Sequence, residues 1–382
     1  MQRWVPAGHP LFFIHPYLYH FRIKFMVRKI ILLLLFPLVN IAQKTDSIPL
    51  IRDKSLIALP VVFRFPETGW GGGVAATSSW SWGKDSSWAK PSQASVGLTY
   101  TQNKQILAFL PFQVFFANNK YYLNADIGWF KYNFFYYGVG ENRVPEERYD
   151  VRFPRVKLLA SRQLNENIYA GLRINFEAYD VFNQAEGGEL ANKTISGSDY
   201  SRTSALGPAF LIDTRDQVFY PTKGVFGEVS FLPSLKILGA DRNFSQATLD
   251  ISQYQSLGKR LVLASNFYNV FSFGNEVPFS QLAQLGGPKK MRGIYQGFFR
   301  DQNASLLQAE LRWNVWKFIG LTGFGSMGFL GDNQSFLRLN LPKFTYGAGL
   351  RIATKNKLNL RLDYGLSPYG EGNFYATVGE AF

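Results

Sequence analysis

The sequence contains no cysteine, and its three histidines, His9, His15 and His20, all lie within the first 20 of 382 residues. The absence of cysteine excludes disulfides, thiolate metal sites and a cysteine nucleophile. A Ser-His-Asp triad needs imidazole as its base, and zinc sites usually take histidine or cysteine ligands. We therefore expect no enzyme, no metal and no other cofactor. Chemistry based on carboxylates or lysine stays open, although no constellation of residues indicates it.

Long apolar runs are also scarce. After residue 43, no apolar segment approaches the length of a membrane-spanning helix, which needs about 20 residues. Residues 30–39 form a shorter apolar run that follows two basic residues and precedes Ala42. This order is typical of a secretory signal peptide, and a buried core helix is the alternative. We predict that translation starts at Met26 and that cleavage occurs near Gln43.

The charge balance is strongly basic. The formal net charge is +14, but five basic residues and no acidic ones precede Gln43, so the predicted cleavage lowers it to +9. The remaining lysines and arginines are scattered along the chain, whereas a nucleic-acid surface would need them clustered on one element. We therefore expect no nucleic-acid partner.

Strict alternation of apolar and polar residues is the dominant pattern. In residues 169–177, apolar side chains share one face, whereas Arg173, Asn175 and Glu177 share the other. A period of two indicates β-strands with one apolar and one polar face. The same pattern recurs at 121–129, 307–313 and 358–364.

Two architectures can be built from such strands. A soluble sandwich would use shorter strands with tighter spacing. The segments here run about 10–14 residues, which is the length that a tilted membrane strand requires. Their polar face fits a wet lumen, and aromatic residues near the segment ends fit interfacial girdles. Together with the predicted signal peptide, these features favour an outer-membrane barrel.

The segments predict an all-β fold, namely a sixteen-stranded antiparallel transmembrane β-barrel. Single-chain bacterial barrels require an even number of strands, and sixteen meets that requirement. We expect short periplasmic joins at 103–104, 118–119 and 258–259. The predicted strands cover 56–65, 69–82, 92–102, 105–117, 120–131, 149–163, 166–179, 203–213, 222–236, 242–257, 260–274, 301–314, 318–331, 343–353, 356–366 and 372–382. The predicted long extracellular segments are 132–148, 180–202 and 275–300.

This arrangement divides the chain into four parts. Residues 1–25 are predicted to be a mis-assigned upstream extension and 26–42 the signal peptide. Residues 43–55 would form a short periplasmic lead-in, too short to fold alone. Residues 56–382 would form the outer-membrane barrel, without a second domain.

Five separate stretches form an ordered set of motifs. They are Pro60 with 66–69 and Gly73, 213–216 with 220–222 and Gly224, 285–287 with 291–293 and Gly297, 308–312, and 361–365 with Phe382. In this order they resemble the BamA/TamA superfamily of outer-membrane assembly and translocation barrels, also called bacterial surface antigens. The resemblance covers essentially the whole predicted mature chain.

The resemblance implies that the segment between the eleventh and twelfth strands is the sixth extracellular loop of the family, folded back into the barrel lumen. Ile294 stands where the family favours an aromatic residue, and Ser326 stands where it commonly has aspartate. The motif residues of this loop are Gly286, Gly287, Arg292, Gly293, Tyr295 and Gly297.

In such a loop, Arg292 would face the lumen wall. A guanidinium there needs acidic partners, and arginine pairs with carboxylates through two parallel hydrogen bonds better than lysine does. Glu310 and Asp363, on the polar faces of their strands, are the predicted counter-ions. The glycines would let the loop turn tightly and approach the wall. The alternative is a mobile loop with Arg292 in solvent. Lys289 and Lys290 are interpreted as a solvated face rather than a contact with lipopolysaccharide phosphate.

The meeting point of the first and last strands is predicted to be a weak seam. Pro60 donates no ladder hydrogen bond, and Gly379 weakens a last strand that we expect to run to Phe382. Glu380 is expected at the membrane rim, where a charge costs only about 0–1 kcal/mol. Such a seam could part and template an incoming strand. Ordinary end-of-chain irregularity is the alternative.

The family resemblance implies a non-enzymatic protein that assists insertion or translocation of outer-membrane proteins or lipids. Assembly-type members of the family carry periplasmic POTRA domains, and residues 43–55 are too few for one. We therefore expect a separate periplasmic or outer-membrane protein partner, in addition to contact with outer-membrane lipid. The alternative is a non-catalytic pore or structural subunit of an outer-membrane complex.

Overall fold

The structure is a computed structural model that describes residues 55–65, 69–81, 90–333, 336, 341–353 and 359–382. All of these residues belong to one structural unit, Ile48–Phe382. The predicted upstream extension and signal peptide, and all of the predicted lead-in except Ser55, lie outside the described residues, as do residues 66–68 of the first motif.

Eighteen β-strands make up the regular structure of the described part of the chain. The first eleven are β1 (Ser55–Phe65), β2 (Gly69–Trp80), β3 (Ser92–Thr101), β4 (Ile106–Phe116), β5 (Tyr121–Val139), β6 (Asn142–Asn165), β7 (Ile168–Phe182), β8 (Tyr200–Asp213), β9 (Gly224–Ser234), β10 (Phe244–Ser256) and β11 (Leu261–Phe273). The others are β12 (Ala283–Leu285), β13 (Phe299–Asp301), β14 (Asn303–Trp316), β15 (Ile319–Gly331), β16 (Lys343–Ala353), β17 (Asn359–Ser367) and β18 (Gly370–Val378). Short 3-10 turns occur at Lys236–Leu238 and Phe279–Gln281.

Sixteen of these strands form one sheet in which each strand pairs with its sequence neighbours, from β1 at one end of the order to β18 at the other. The short strands β12 and β13 form a separate hairpin. The predicted all-β antiparallel architecture is confirmed. Closure of the sheet into a barrel stays a prediction. Within the described residues, no helical segment is long and apolar enough to cross a membrane.

The solvent-accessible face of the sheet is apolar and its buried face is largely polar, which is the opposite of a soluble sandwich. On β8, Leu206 and Phe210 are 40% and 51% exposed, whereas Ala205 is buried on the other face. On β7, Leu172 is exposed and Glu177 is buried. An outward row of apolar side chains above a polar inner face is the pattern of membrane-facing strands. The side-chain burial therefore opposes the sandwich interpretation.

The hairpin of β5 and β6 corrects the prediction of a long loop at 132–148. The two strands stay paired up to Val139 and Asn142, with one register shift near Gly138. Aromatic residues continue through 132–137, and their strong β-propensity extends the ladder. At the tip, the Glu141 carboxylate binds Lys343 of β16 at 3.1 Å. The hairpin therefore reaches a strand far away in the sheet order.

The turns at the two ends of β4 also correct a prediction. β4 pairs antiparallel with β3 and with β5. The turns at 103–104 and 118–119 therefore lie at opposite ends of the sheet. The expectation that both are periplasmic is wrong for one of them.

The chain leaves the sheet earlier than predicted. β18 ends at Val378, and Gly379 has a φ of +84°, a conformation that glycine adopts without steric cost. This turn brings the Glu380 carboxylate to Arg351 on the polar face, at 2.9 Å. The prediction that the last strand runs to Phe382 and the prediction that Glu380 lies at the rim are both wrong.

The segment between β11 and β14, residues 274–302, is called the long loop below. Its hairpin of β12 and β13 packs its apolar side chains against the sheet. Leu285 and Met291 are fully buried together with Leu306 of β14, and Ile294 is 3% exposed in the same cluster. This apolar packing places the turn that carries Arg292 directly above β14.

Candidate functional site

Arg292 lies at the centre of the candidate site, with a side chain that is 1% exposed. One end of its guanidinium, Nη2, donates a 2.6 Å hydrogen bond to Glu310 Oε2 on β14. The other end, Nη1, donates to Asp363 Oδ2 on β17. The Phe324 ring of β15 lies 3.7 Å from the guanidinium carbon. The structure thus brings Arg292 together with both predicted counter-ions, and one side chain joins the long loop to three strands.

Three further arginines surround the same two carboxylates. Arg312 Nε donates to Glu310 Oε1 at 2.5 Å. Arg351 Nη1 donates to Asp363 Oδ1 at 2.6 Å, and Arg361 Nε lies 3.6 Å from Asp363 Oδ2. Each of the two carboxylates therefore contacts at least one arginine in addition to Arg292.

The C-terminal residues complete this cluster. Besides binding Arg351, Glu380 accepts a 2.6 Å hydrogen bond from Asn359 Nδ2 and lies 3.7 Å from Arg312 Nε. Arg312 Nη2 donates to the carbonyl of Phe382 at 3.0 Å. Of the residues predicted to belong to the seam, Phe382 is thus held by Arg312, whereas the Gly379 N–H donates to the Asn359 carbonyl of β17 at 2.8 Å.

The four arginines and the carboxylates Glu310, Asp363 and Glu380 are called the arginine network below. All seven side chains are at most 3% exposed, and the network carries one surplus positive charge. Breaking a buried ion pair on one side is costly because the remaining charge has lost its hydration as well as its partner. The network is therefore stable only while each charge keeps an opposite neighbour.

Among the described residues, no cluster of potential metal-ligating side chains could hold a metal ion.

At two positions in the long loop, another segment of backbone comes so close that only glycine fits. Gly293 has a φ of +110°, and a Cβ atom there would lie 2.8 Å from the Leu366 carbonyl oxygen of β17. Its N–H donates to the Tyr375 hydroxyl of β18 at 3.1 Å. Gly286 has a φ of +115°, and a Cβ atom there would lie 2.2 Å from the Tyr295 carbonyl oxygen. The other motif glycines, Gly287 and Gly297, lie in the same loop with φ of +90° and +77°.

Tyr295 contacts β5, a strand far from β14 and β17 in the sheet order. Its ring packs against Phe135 and Tyr137 of β5, and its hydroxyl accepts a 3.4 Å hydrogen bond from the Phe135 N–H. The long loop therefore contacts β5 through Tyr295 and β18 through Gly293, two residues away in sequence.

The two lysines of the loop have different surroundings. Lys290 Nζ binds Asp250 at 2.7 Å and Asn266 Oδ1 at 3.1 Å, and it lies over the Tyr268 ring. Its interpretation as part of a solvated face is therefore wrong. Lys289 is exposed, toward a cavity beside the loop. Burial among protein atoms lowers the pKa of the Lys290 ammonium, and Asp250 opposes this effect.

Pro60 lies in the middle of β1, opposite Val74 of β2, with an exposed side chain.

Among the network residues, Arg312, Arg351 and Arg361 were not predicted. The sequence signal for two of them is simple, because Arg312 follows Glu310 and Arg361 precedes Asp363 by two residues, on the same face of a strand. Arg351 could be placed only from the pairing register, which sets it opposite Arg361.

We expect Arg292→Ala to release the long loop while the sheet stays folded. Glu310 and Asp363 keep Arg312 and Arg351, so the loss should be that of charged hydrogen bonds, about 1.5–3 kcal/mol. Limited proteolysis of the purified chain in detergent should show faster cleavage within residues 286–300. Arg292→Lys should be intermediate, and Lys259→Ala, at an exposed turn, serves as the control. Equal cleavage rates in wild type and Arg292→Ala would contradict the anchoring role.

We expect Asp363→Asn to destabilise the whole sheet more than Arg292→Ala does. Asp363 contacts Arg292, Arg351 and Arg361, so its neutralisation raises the surplus buried charge from one to two. An uncompensated buried charge costs about 3–5 kcal/mol. Thermal unfolding followed by gel mobility measures the difference. The control is Asp199→Asn, which removes an exposed ion pair and should change little. A smaller effect for Asp363→Asn than for Arg292→Ala would reject this charge argument.

Comparison with solved structures finds the same fold in BamA and in two CdiB proteins. The crystal structure of BamA from Haemophilus ducreyi lacking POTRA domains 1–3 matches with a TM-score of 0.55 and 14% identity, over 86% of this chain and 70% of that one. CdiB from Escherichia coli matches with a TM-score of 0.55 and 12% identity, over 88% and 63%. CdiB from Acinetobacter baumannii gives a TM-score of 0.52 and 13% identity, over 85% and 59%. The chain thus spans less than two thirds of either CdiB chain.

At these identities the matches show a shared fold. No curated protein matches the sequence. The family described as the Omp85 superfamily domain matches residues 90–382, which is well over half of the chain. The resemblance to BamA/TamA barrels is thereby confirmed, and the chain belongs to the Omp85 superfamily.

Proposed function

We propose that this chain is an outer-membrane barrel of the BamA/TamA type that assists insertion or translocation of outer-membrane proteins or lipids. In this proposal, β1 and β18 meet at a seam that parts to admit a substrate strand. The observation that carries the proposal is the early end of β18 at Val378, after which the chain turns inward to the arginine network. A separate periplasmic or outer-membrane protein partner is part of the proposal, and affinity purification of the full chain from membranes tests for it.

Contacts across the polar face support closure of the sheet. The long loop touches β5 through Tyr295 and β18 through Gly293, and the tip of the β5–β6 hairpin binds Lys343 of β16. Strands at such distance in the sheet order come together when the sheet curves round on itself. The polar face would then line a lumen, and the long loop would be the sixth extracellular loop folded inside it.

The strands at the proposed seam have few means of holding each other. β18 has nine residues and β1 has eleven, and Pro60 removes one possible ladder donor from β1. The residues that follow β18 place Glu380 and the Phe382 carbonyl on Arg351 and Arg312, where they bind the network instead of extending the ladder. A strand edge with unpaired backbone groups is a template for strand addition.

Locking the proposed seam with a disulfide should abolish activity. Ala58 of β1 and Ala376 of β18 are both exposed on the outer face, and the chain has no native cysteine. We expect the oxidised Ala58→Cys/Ala376→Cys variant to lose insertion of an unfolded barrel protein into liposomes. Reduction should restore that insertion. Pairs of Ala58→Cys with cysteine at positions 374 and 378 cover the neighbouring registers.

A matched control uses the same first cysteine. Ala58 lies directly opposite Ala76 of β2, at a spacing that a disulfide can bridge. Oxidised Ala58→Cys/Ala76→Cys ties β1 to β2 without crossing the seam, so its activity should be unchanged. Full insertion activity in seam-locked barrels would show that the seam does not open during function.

The second candidate function is a pore or structural subunit, and a cavity of about 550 Å³ between the long loop and the strands favours it. Planar-bilayer recording separates the two functions. A barrel plugged by an anchored loop should give little steady current in the wild type and more in Arg292→Ala. Steady open conductance in the wild type, unchanged by Arg292→Ala, would favour the pore.

A further inference from the structure

The cavity beside the long loop carries an imbalance of charge. Its wall combines polar-face residues of β5, β6, β7, β9, β10 and β11 with residues from 280–300 of the long loop. The arginine network, in contrast, is built from Arg292 of the long loop, from strands β14, β16 and β17, and from the C-terminal tail. The six cationic side chains that line the cavity are Arg155, Lys157, Arg173, Lys289, Lys290 and Arg300, and the acidic ones are Glu177, Glu228 and Asp250.

The three acidic side chains of the wall are already paired. Arg155 Nε binds Glu177 at 3.0 Å, Arg173 Nη2 binds Glu228 at 2.5 Å, and Lys290 binds Asp250 at 2.7 Å. Each acid is therefore matched by one cation, and the three remaining cations, Lys157, Lys289 and Arg300, have no carboxylate from the wall.

Lys157 is unpaired although an acid is close. Asp126 of β5 lies directly opposite Lys157 in the β5–β6 ladder, but its carboxylate is 3.7 Å from Arg155 Nη1 instead. Among the residues that the structure describes, the Lys157 ammonium makes neither an ion pair nor a hydrogen bond.

Lys289 and Arg300 are unpaired on the loop side of the cavity. Lys289 uses its main-chain carbonyl to bind Gln308, while its ammonium has no partner in the described part of the chain. Arg300 is 3% exposed, and its Nε makes one 3.3 Å hydrogen bond to the Gly297 carbonyl. Its buried Nη1 has no partner among the residues that the structure covers. A buried cation without a counter-ion, such as Arg300, is unfavourable, so an anion in this cavity would be stabilised.

We propose that this cavity binds a phosphate-bearing ligand through Lys157, Lys289 and Arg300. A phosphate monoester carries about two negative charges and three acceptor oxygens, which suits three cations that come from different elements better than a single carboxylate does. The wall also offers neutral hydrogen-bonding groups for the hydroxyls of a phosphate ester. These include the amides of Gln246, Gln284 and Gln296, and Asn175, whose buried Oδ1 has no partner within the described ranges of the chain. The cavity volume of about 550 Å³ is within the range of small-molecule sites.

Calorimetry on the full chain in a zwitterionic detergent tests this proposal, with inorganic phosphate and glucose 1-phosphate as probes and glucose as the uncharged comparison. We expect both phosphates to bind and glucose not to bind. Lys157→Gln and Lys289→Gln should each weaken binding about tenfold or more, as loss of a charged hydrogen bond does. Lys259→Gln removes the same charge at an exposed turn and should leave the affinity unchanged. Heat-dependent gel mobility checks that each variant is folded.

A second arm identifies the source of the phosphate. Native mass spectrometry of the full chain after incubation with phosphatidic acid measures retention of a lipid headgroup, which Lys157→Gln and Lys289→Gln should reduce. Retention of phosphatidic acid without binding of soluble phosphates would support a lipid headgroup as the ligand, and the reverse would support a soluble phosphate ester. The proposal is overturned if neither class binds, or if folded Lys157→Gln and Lys289→Gln variants bind as the wild type does.

Discussion

The arrangement of the long loop and the C-terminus depends on one constraint, which is that seven buried charges must each keep an opposite neighbour. Glu380 binds Arg351, Arg351 binds Asp363, and Asp363 binds Arg292 of the loop. These contacts form a continuous series of ion pairs from the end of the last strand to the long loop. Because the pairs are desolvated, moving one charge away from the series leaves its partner buried without a counter-ion, which costs much free energy. The loop and the last strand are therefore coupled through side chains rather than through the sheet.

Much of this fold follows from the period of the sequence. A strand with one membrane-facing and one polar face must alternate, so the pattern located segments such as 343–353, which coincides with β16 (Lys343–Ala353). The same alternation put Glu310 and Asp363 on the polar face, and the BamA/TamA resemblance put Arg292 near them. The missed residue Arg351 shows the limit of this approach, since its place opposite Arg361 depends on pairing register. Register is a property of two strands and cannot be read from one of them.

The two wrong strand ends have different physical causes. Residues 132–148 were predicted to form a long loop, but the aromatic side chains in 132–137 can pair as long as a partner strand continues, and β6 does continue. At the C-terminus, alternation assigned Glu380 to the apolar face, and that assignment holds only while the ladder persists. Gly379, with its φ of +84°, ends the ladder and reverses the face. Strand pairing therefore overrides the predicted loop at 132–148, whereas the backbone conformation of one glycine overrides the alternation at the C-terminus.

The long loop separates two electrostatic environments on the polar face. On one side, Arg292 lies in a network where every carboxylate contacts more than one arginine. On the other side, Lys289 and Arg300 face a cavity whose own acids are already paired. Lys289 precedes Arg292 by only three residues, so an anion bound in the cavity would hold the same stretch of backbone that the network anchors. Occupancy of the cavity would then stabilise the loop in the position that keeps Asp363, Arg351 and Glu380 connected. By linkage, a substrate that displaced the C-terminal tail would weaken binding of that anion, and the anion would oppose opening of the seam to the same extent.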